Sequence, residues 1–175
     1  MSNVSPSSER QSVDIEVIVN GSEFRGRIES RLTLAELLRE RLNLTGTKLG
    51  CNRAECGVCT VLLDGVSVFA CTVLAVEANR RRVETVEGLL KGKSLHPLQE
   101  AFVRDDALQC GFCTPGLLMS LKELTDKVAN PSIEDVKAAI AGNFCRCGAY
   151  PNIFKAALEA SQVLESQRAV ALISR

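Results

Sequence analysis

The spacing of the cysteines is the strongest constraint on what this 175-residue chain can fold around. Three of the eight follow the pattern C-x4-C-x2-C at Cys51, Cys56 and Cys59, and Cys71 follows after eleven further residues. This is the ligand spacing of plant-type [2Fe–2S] centres. Three glycines within residues 45–58 allow the backbone to come close to a bound cluster. Zinc prefers paired two-cysteine knuckles, so a three-cysteine loop favours [2Fe–2S] over zinc.

The other four cysteines form a second set, whose spacing is less decisive. Cys110 and Cys113 form a C-x2-C pair, and Cys145 and Cys147 form a C-x-C pair after thirty-one intervening residues. Two paired knuckles could hold zinc, but C-x-C is tighter than the usual zinc spacing. Spacing therefore favours a cluster and leaves zinc open. A thioredoxin-like role for the first pair is disfavoured, because its flanks are predicted to be helical rather than βαβ.

Composition argues against several classes of function. The chain has 21 basic and 21 acidic residues, so its charge gives no support for binding to nucleic acid or to an anionic membrane. Its sequence contains no run close to the roughly 18 apolar residues of a membrane span. Residues 1–12 carry no apolar export signal. We therefore expect a cytoplasmic protein, in which eight cysteines bind metal rather than form disulfides.

Residues 12–87 predict a small α+β domain that carries the first cysteine set. Asn-Gly at 20–21 and Asp-Gly at 64–65 are typical two-residue hairpin turns. Thr33 and Glu36 form a capping box at the start of a helix with one leucine-rich face. The predicted elements are strands over 13–19 and 24–28, a helix from Leu34 to Leu42, strands over 60–63 and 66–69, and a strand over 82–86.

Residues 95–166 predict four short helices in a bundle-like domain. Pro97 is predicted to lie in the first turn of the first helix. Pro151 is predicted to begin the fourth helix. Thr114 and Ser132 are the predicted N-caps of the second and third. The third helix is predicted to end at a glycine, residue 142. The second cysteine set then lies at facing helix ends.

The rest of the chain is predicted to support these two domains. Residues 1–11 are expected to be disordered, residues 88–94 a linker, and residues 167–175 a C-terminal tail. His96, the one histidine, is interpreted as a surface residue at a helix entry, because both cysteine sets already supply four ligands. Tyr150 is interpreted as packing below the second cysteine loop.

Three motifs together resemble a known family. They are GCNRAECGVC at 50–59, LQCGFCTPG at 108–116 and GNFCRCG at 142–148, followed by Tyr150. In this order they are similar to the small iron–sulfur subunit of the molybdenum hydroxylases, the family of xanthine oxidase, aldehyde oxidoreductase and carbon monoxide dehydrogenase. The resemblance extends over about residues 13–165, and it implies a [2Fe–2S] cluster in the second set as well.

The resemblance implies a plant-type ferredoxin-like (β-grasp) domain followed by a four-helix bundle-like domain, with one cluster in each. It implies that the helical-domain cluster lies nearest a molybdopterin cofactor in a large subunit, and that Gln109 and Cys147 approach the pterin. The ferredoxin-like cluster would then lie towards FAD in a medium subunit. The implied role is electron transfer within a dimer of heterotrimers, with the substrate oxidised in a partner and no catalytic residue in this chain.

Two alternatives belong to other classes of protein. One is a free-standing two-cluster ferredoxin, a carrier without a fixed partner. Such carriers are usually strongly acidic for electrostatic docking, whereas this chain has no net charge. The other is a zinc-bound structural module, which iron and acid-labile sulfide analysis distinguishes from a redox protein.

Overall fold

The computed structural model describes residues 11–90, 92 and 94–173. The disorder expected over 1–11 therefore lies, apart from Gln11, outside the described residues. The elements are β1 (Ser12–Val19), β2 (Ser22–Glu29), α1 (Leu34–Glu36, continued by a π-helical turn over Leu37–Arg41), β3 (Thr60–Leu63), β4 (Val66–Phe69), β5 (Arg82–Glu84), α2 (Pro97–Arg104), α3 (Thr114–Lys127), α4 (Ile133–Ala139) and α5 (Tyr150–Ile173), with 3-10 turns over Ala75–Ala78 and Val86–Leu89.

The first half of the chain forms a mixed five-stranded sheet in the order β2-β1-β5-β3-β4. Both predicted hairpins are confirmed: β1 pairs with β2 and β3 pairs with β4, each antiparallel. Asn20 and Gly21 take φ values of 50° and 82°, and Asp64 and Gly65 take 51° and 79°. Positive φ at both central residues is the two-residue turn whose twist matches that of paired strands. The α+β class is confirmed.

Helix α1 covers one face of the sheet, but only its first turn is α-helical. The capping box is confirmed, since Thr33 accepts from the Glu36 N–H and the Glu36 carboxylate accepts from the Thr33 N–H. Beyond it the Leu42 N–H donates to the Leu37 carbonyl, which is an i to i+5 bond. The wider turn keeps the leucines at 34, 37 and 38 fully buried against the sheet.

The second half is helical as predicted, with boundary differences in three of its helices. Helix α3 begins one residue early, with Cys113 as N-cap and Thr114 inside the first turn, so Thr114 is not the cap. Helix α4 keeps its Ser132 cap, which accepts from the Asp135 N–H, but ends at Ala139, before residue 142. Helix α5 begins at Tyr150 rather than Pro151 and continues to Ile173, so the expected tail from 167 is helical over its described residues.

The beginning of the segment expected to be a linker is part of the fold. Val86–Leu89 forms a 3-10 turn, and Leu89 inserts into the hydrophobic core of the helical half. His96 also differs from its prediction, since it is buried and its Nδ1 accepts from the Leu98 N–H at 3.2 Å. It caps α2, which explains a histidine at this position.

Strand β3 joins the two halves because both of its faces are buried. Val61 and Leu63 belong to the core of the sheet half, whereas Leu62 belongs to the core of the helical half. Helix α3 packs directly against this strand. The cores that hold the two cysteine sets therefore lie on opposite faces of the same strand, β3. Among the described helices, none is long and apolar enough to cross a membrane.

Candidate metal centres

The first cysteine set comes together as two pairs of thiols. The loop between α1 and β3 supplies Cys51 and Cys56, and these two thiols interact with each other. Cys59 directly precedes β3 and Cys71 follows β4, so the β3–β4 hairpin brings this second pair together. Both members of the hairpin pair are buried, whereas both members of the loop pair are half-buried.

The second set is also paired, although its members come from segments far apart in sequence. The Cys147 Sγ lies 3.6 Å from the Cys110 Sγ. The Cys113 thiol interacts with that of Cys145. Each pair joins one residue from the loop before α3 to one residue from the loop between α4 and α5.

Pairing two by two fits a binuclear cluster better than a single ion. A zinc ion gathers four ligands at one point, with each sulfur about 2.3 Å from the metal. In a [2Fe–2S] cluster four cysteines are divided between two irons. The donor chemistry and the arrangement of both sets therefore fit [2Fe–2S] clusters.

Backbone N–H groups surround the sulfurs of the first set. They would stabilise the added negative charge of a reduced cluster, which raises its potential. Four such contacts are present: Arg53 N to Cys51 Sγ at 3.5 Å, Glu55 N to Cys51 Sγ at 3.3 Å, Ala54 N to Cys71 Sγ at 3.4 Å and Cys51 N to Cys56 Sγ at 3.4 Å.

The loop reaches this conformation through residues that are not glycine. Asn52 and Ala54 take φ values of 53° and 59°. For alanine the left-handed region costs about 1 kcal/mol, and here it aims the Ala54 N–H at Cys71. Gly50 serves a different purpose, since a Cβ there would lie 3.0 Å from the Cys56 sulfur. The predicted role of the loop glycines is thus only partly the reason for the loop shape.

Hydrogen bonds and burial act in opposite directions on the first set. The N–H groups of Arg53 and Glu55, together with the Cys56 thiol, lower the pKa of Cys51 to about 7. Burial raises the pKa of Cys59 to about 12. The set therefore offers one cysteine that is readily ionised near neutral pH and one thiol that would lose its proton as metal binds.

The second set repeats this division. Burial raises the pKa of Cys113 to about 12, and the neighbouring Cys145 thiol acts in the same direction. Burial also opposes ionisation of Cys145, but the Ala149 N–H, the Cys113 thiol and the N–H groups of residues 147 and 148 outweigh it. The pKa of Cys145 is therefore lowered.

The second set opens to the surface at the Cys110–Cys147 pair. Cys110 and the adjacent Gln109 are exposed, and Cys147 is half-buried. Two aromatic residues of the same two loops are also exposed, Phe112 by 47% and Phe144 by 53%, and they directly precede Cys113 and Cys145. The two residues expected to approach a pterin, Gln109 and Cys147, thus belong to the same open edge.

Tyr150 and Asn143 shape the loop that carries the second set. The Cys145 N–H donates to the Tyr150 hydroxyl at 2.9 Å, and that hydroxyl donates to the Asn143 carbonyl at 3.1 Å. Tyr150 was expected only to pack below this loop. The sequence did not predict a role for the Asn143 side chain, which is buried and whose amide oxygen and nitrogen both form hydrogen bonds. A polar residue between a helix end and a cysteine is the signal that could have identified it.

The two sites meet where three glycines allow backbones to touch. A Cβ at Gly57 would lie 2.2 Å from the Gly142 carbonyl oxygen. A Cβ at Gly116 would lie 2.3 Å from the Gly57 carbonyl oxygen. Neither position accepts a side chain without moving backbone, so the contact between the two halves depends on glycine.

The two halves of the chain match two families of iron–sulfur domain. Residues 17–86 match the family described as a 2Fe-2S iron-sulfur cluster binding domain. Residues 85–158 match the family described as a [2Fe-2S] binding domain. The matches follow one another along the chain and meet at the end of β5.

Relatives and a solved structure match over most of the chain. It is 50% identical over 145 residues to the 6-hydroxypseudooxynicotine dehydrogenase complex subunit beta of Paenarthrobacter nicotinovorans, covering 82% of this chain and 91% of the relative. It is 49% identical over 148 residues to the nicotine 6-hydroxylase small subunit of the same organism, covering 85% and 89%. Quinoline 2-oxidoreductase from Pseudomonas putida 86 superposes with a TM-score of 0.85 at 40% identity, over 90% of this chain and 98% of that chain.

Fold, motif order and relatives agree. The ferredoxin-like first half and the helical second half each match a [2Fe–2S] domain, and the relatives are subunits of dehydrogenase and hydroxylase complexes. The chain belongs to the family of small [2Fe–2S] electron-transfer subunits of the molybdenum hydroxylases.

Proposed function

We propose that the eight cysteines hold two [2Fe–2S] clusters and that the chain carries electrons between two partner subunits. The single observation that supports this best is the pairing of thiols two by two in both sets. When bound, such clusters supply one-electron oxidation and reduction. The first cluster is assigned to Cys51, Cys56, Cys59 and Cys71, and the second to Cys110, Cys113, Cys145 and Cys147.

We propose the direction of electron flow that the family resemblance implies, and the exposure of the second set supports it. The Cys110–Cys147 edge is open, and Gln109 lies beside it with an exposed amide. Gln109 and Cys147 there would contact the pterin of a molybdopterin cofactor in a large subunit, with the Gln109 amide as a hydrogen-bonding group. Electrons enter the chain at this edge and leave by the loop at Cys51 towards FAD in a medium subunit.

The loops that carry the second set are suited to docking. Phe112 and Phe144 leave large apolar surface beside the ligands, and aromatic residues are enriched at protein interfaces. A docked large subunit would cover both rings and exclude water from the exposed pair. The assembly we propose is a dimer of heterotrimers in the cytoplasm, where cysteines stay reduced and available to iron.

A free-standing ferredoxin is the second candidate. It would carry the same clusters, and the balance of 21 basic and 21 acidic residues and the exposed aromatic pair favour a fixed partner over transient docking. Purification from the native host separates the two. Recovery with a large and a medium chain supports the subunit, and recovery as a lone, fully active electron carrier contradicts it.

Metal analysis of the reconstituted chain tests the clusters. We expect about four irons per chain, two for each cluster, with matching acid-labile sulfide and two EPR signals after reduction. Cys113→Ser should remove or alter one signal, and Cys59→Ser should do so for the other. Zinc at about two per chain, without visible absorbance, would overturn the assignment.

Gln109→Ala in the whole complex tests the proposed entry edge. The clusters should assemble normally, because Gln109 is not a ligand, whereas turnover should fall. Nicotine or quinoline, the compounds in the relatives' names, and an aldehyde are suitable first substrates for the assay. Unchanged turnover with every accepted substrate would remove Gln109 from the pterin contact.

A further inference from the structure

A backbone hydrogen bond joins the two cysteine sites directly. The Cys56 carbonyl accepts from the Phe144 N–H at 2.9 Å. Cys56 belongs to the first set, and Phe144 immediately precedes Cys145 of the second set. Covalent bonds connect the Cys56 sulfur to the Cys56 carbonyl, and the Cys145 sulfur to the Phe144 N–H. The hydrogen bond between that carbonyl and that N–H is therefore the one non-covalent step in this path between the two sites.

The Asn143 side chain fastens the backbones on both sides of that hydrogen bond. Its Nδ2 donates to the Gly57 carbonyl at 2.9 Å and to the Thr60 Oγ1 at 3.3 Å. Its Oδ1 accepts from the Ser120 hydroxyl at 2.8 Å. The residue is only 4% exposed. Both ends of the amide are therefore satisfied, and breaking either end leaves a buried polar group without its partner.

The position of Asn143 matches this task. Gly57 follows Cys56, and Asn143 precedes Phe144, so the side-chain bond and the backbone bond are neighbours that run between the same two segments. The space around them is filled, since a Cβ at Gly57 would lie 2.7 Å from the Asn143 Nδ2. The two segments can therefore separate only if the hydrogen bond from the Asn143 side-chain amide to the Gly57 carbonyl also breaks.

We propose that Asn143 is a positioning residue for electron transfer between the two sites. Its amide holds residue 57 against residue 143 and thereby keeps the Phe144 N–H on the Cys56 carbonyl, which is the path of the electron. One electron passes, so the site of the helical half is oxidised as the site of the ferredoxin-like half is reduced, and no proton or covalent bond moves. This inference rests on the cluster assignment proposed above.

Asn143→Asp is the sharpest test. It preserves size and the acceptor for Ser120, but it places a carboxylate oxygen against the Gly57 carbonyl in place of the donor. In the reduced chain we expect normal iron content and both EPR signals, with a weaker spin–spin interaction between them. In the complex mixed rapidly with substrate, reduction of the ferredoxin-like site should slow by about 10- to 100-fold, whereas that of the helical site should not.

Asn152→Asp is the matched control. Its amide also donates to a backbone carbonyl, that of Asp106 at 3.2 Å, but both residues lie in the helical half. The substitution makes the same chemical change at an exposed position, and it should leave the spin–spin interaction and the electron-transfer rate unchanged.

Ser120→Ala keeps the test decisive if Asn143→Asp fails to assemble clusters. It removes the donor that orients the Asn143 amide and leaves Nδ2 in place, so the same two readings should move in the same direction by less. Wild-type interaction and rate in a fully loaded variant would overturn the role of Asn143. A wild-type chain that binds no iron would instead overturn the cluster assignment.

Discussion

The two cysteine sites solve the same ligand problem in different ways. The first takes three cysteines from one loop, which directs its own N–H groups at the sulfurs and holds Ala54 at positive φ. The second takes two cysteines from each of two distant loops, and Tyr150 fixes one of those loops from outside. A site built from contiguous residues carries its stabilisation locally, whereas a site built from distant segments depends on the surrounding fold.

The largest effect is expected where the two sites touch. Gly57→Ala should lower the free energy of unfolding by about 3 kcal/mol or more, because its Cβ meets the Gly142 carbonyl at 2.2 Å and its φ is 67°. Chemical denaturation measures this loss.

Gly65→Ala is the control for the backbone conformation. Gly65 has a φ of 79° with open space around the Cβ position, so only about 1 kcal/mol should be lost. Equal losses in the two variants would mean that contact between the sites does not contribute to stability.

Tyr150→Phe should affect the second site and leave the first site unchanged. It removes the hydroxyl that accepts from Cys145 and donates to Asn143, at a cost of about 1–2 kcal/mol. The EPR signal of the helical-half site should change, whereas the signal of the other site serves as an internal control. A change in the first-loop signal alone would contradict the idea that only the second site depends on outside support.

Glu123→Gln should weaken the contact between the halves in a pH-dependent manner. Burial opposes ionisation of Glu123, but Lys127 and the Ser67 N–H outweigh it, so its pKa is lowered. Its carboxylate accepts from the Ser67 N–H at 2.9 Å, which ties α3 to β4. The substitution should cost about 1 kcal/mol at neutral pH.

The sign follows from the lowered pKa. The contribution of the Glu123 carboxylate is fully present above the ordinary pKa of 4.5 and is lost as pH falls through its folded value. The difference between wild type and variant, measured by denaturation from pH 7 to pH 3, should therefore shrink in acid. Glu40→Gln, at an exposed position, should change stability little at neutral pH. A difference for Glu123 that grows in acid would contradict the assignment.

The smallest effect is expected in the self-contained loop. Ala54→Gly should raise stability by about 0.5 kcal/mol, because glycine takes a φ of 59° without strain and part of that gain is lost to chain entropy. Ala138→Gly, on the exposed side of α4, should instead lower stability by about 1 kcal/mol. Destabilisation by both variants would show that the loop is not strained at residue 54.

The sequence predicted the site built from neighbouring residues better than the site built from distant segments. The loop at 51–59 was recognisable because its cysteines are close in sequence. The hairpin turns were recognisable because Asn-Gly and Asp-Gly carry their conformation locally. Pairing Cys110 with Cys147 requires knowing how α3 lies against α5, and spacing alone left zinc open. Asn143 was missed because its partners, Gly57 and Ser120, are distant in sequence.

Boundary errors had tertiary causes. Residues 88–94 resemble a linker because glycine and lysine are frequent there, yet Leu89 is needed to fill the helical core. His96 is polar, but its ring reaches back to cap α2 and is buried as a result. The π-helical turn after Glu36 leaves no signature in a pattern of leucines that suits an ordinary helix.

Because the residues of β3 face alternately into the two cores, the two halves of the protein are not independent domains joined by a linker. A fragment ending near residue 90 would leave Leu62 without the helices that cover it, and a fragment starting there would lack the strand on which α3 rests. Neither piece is a sensible expression fragment. The chain should therefore unfold as one cooperative unit.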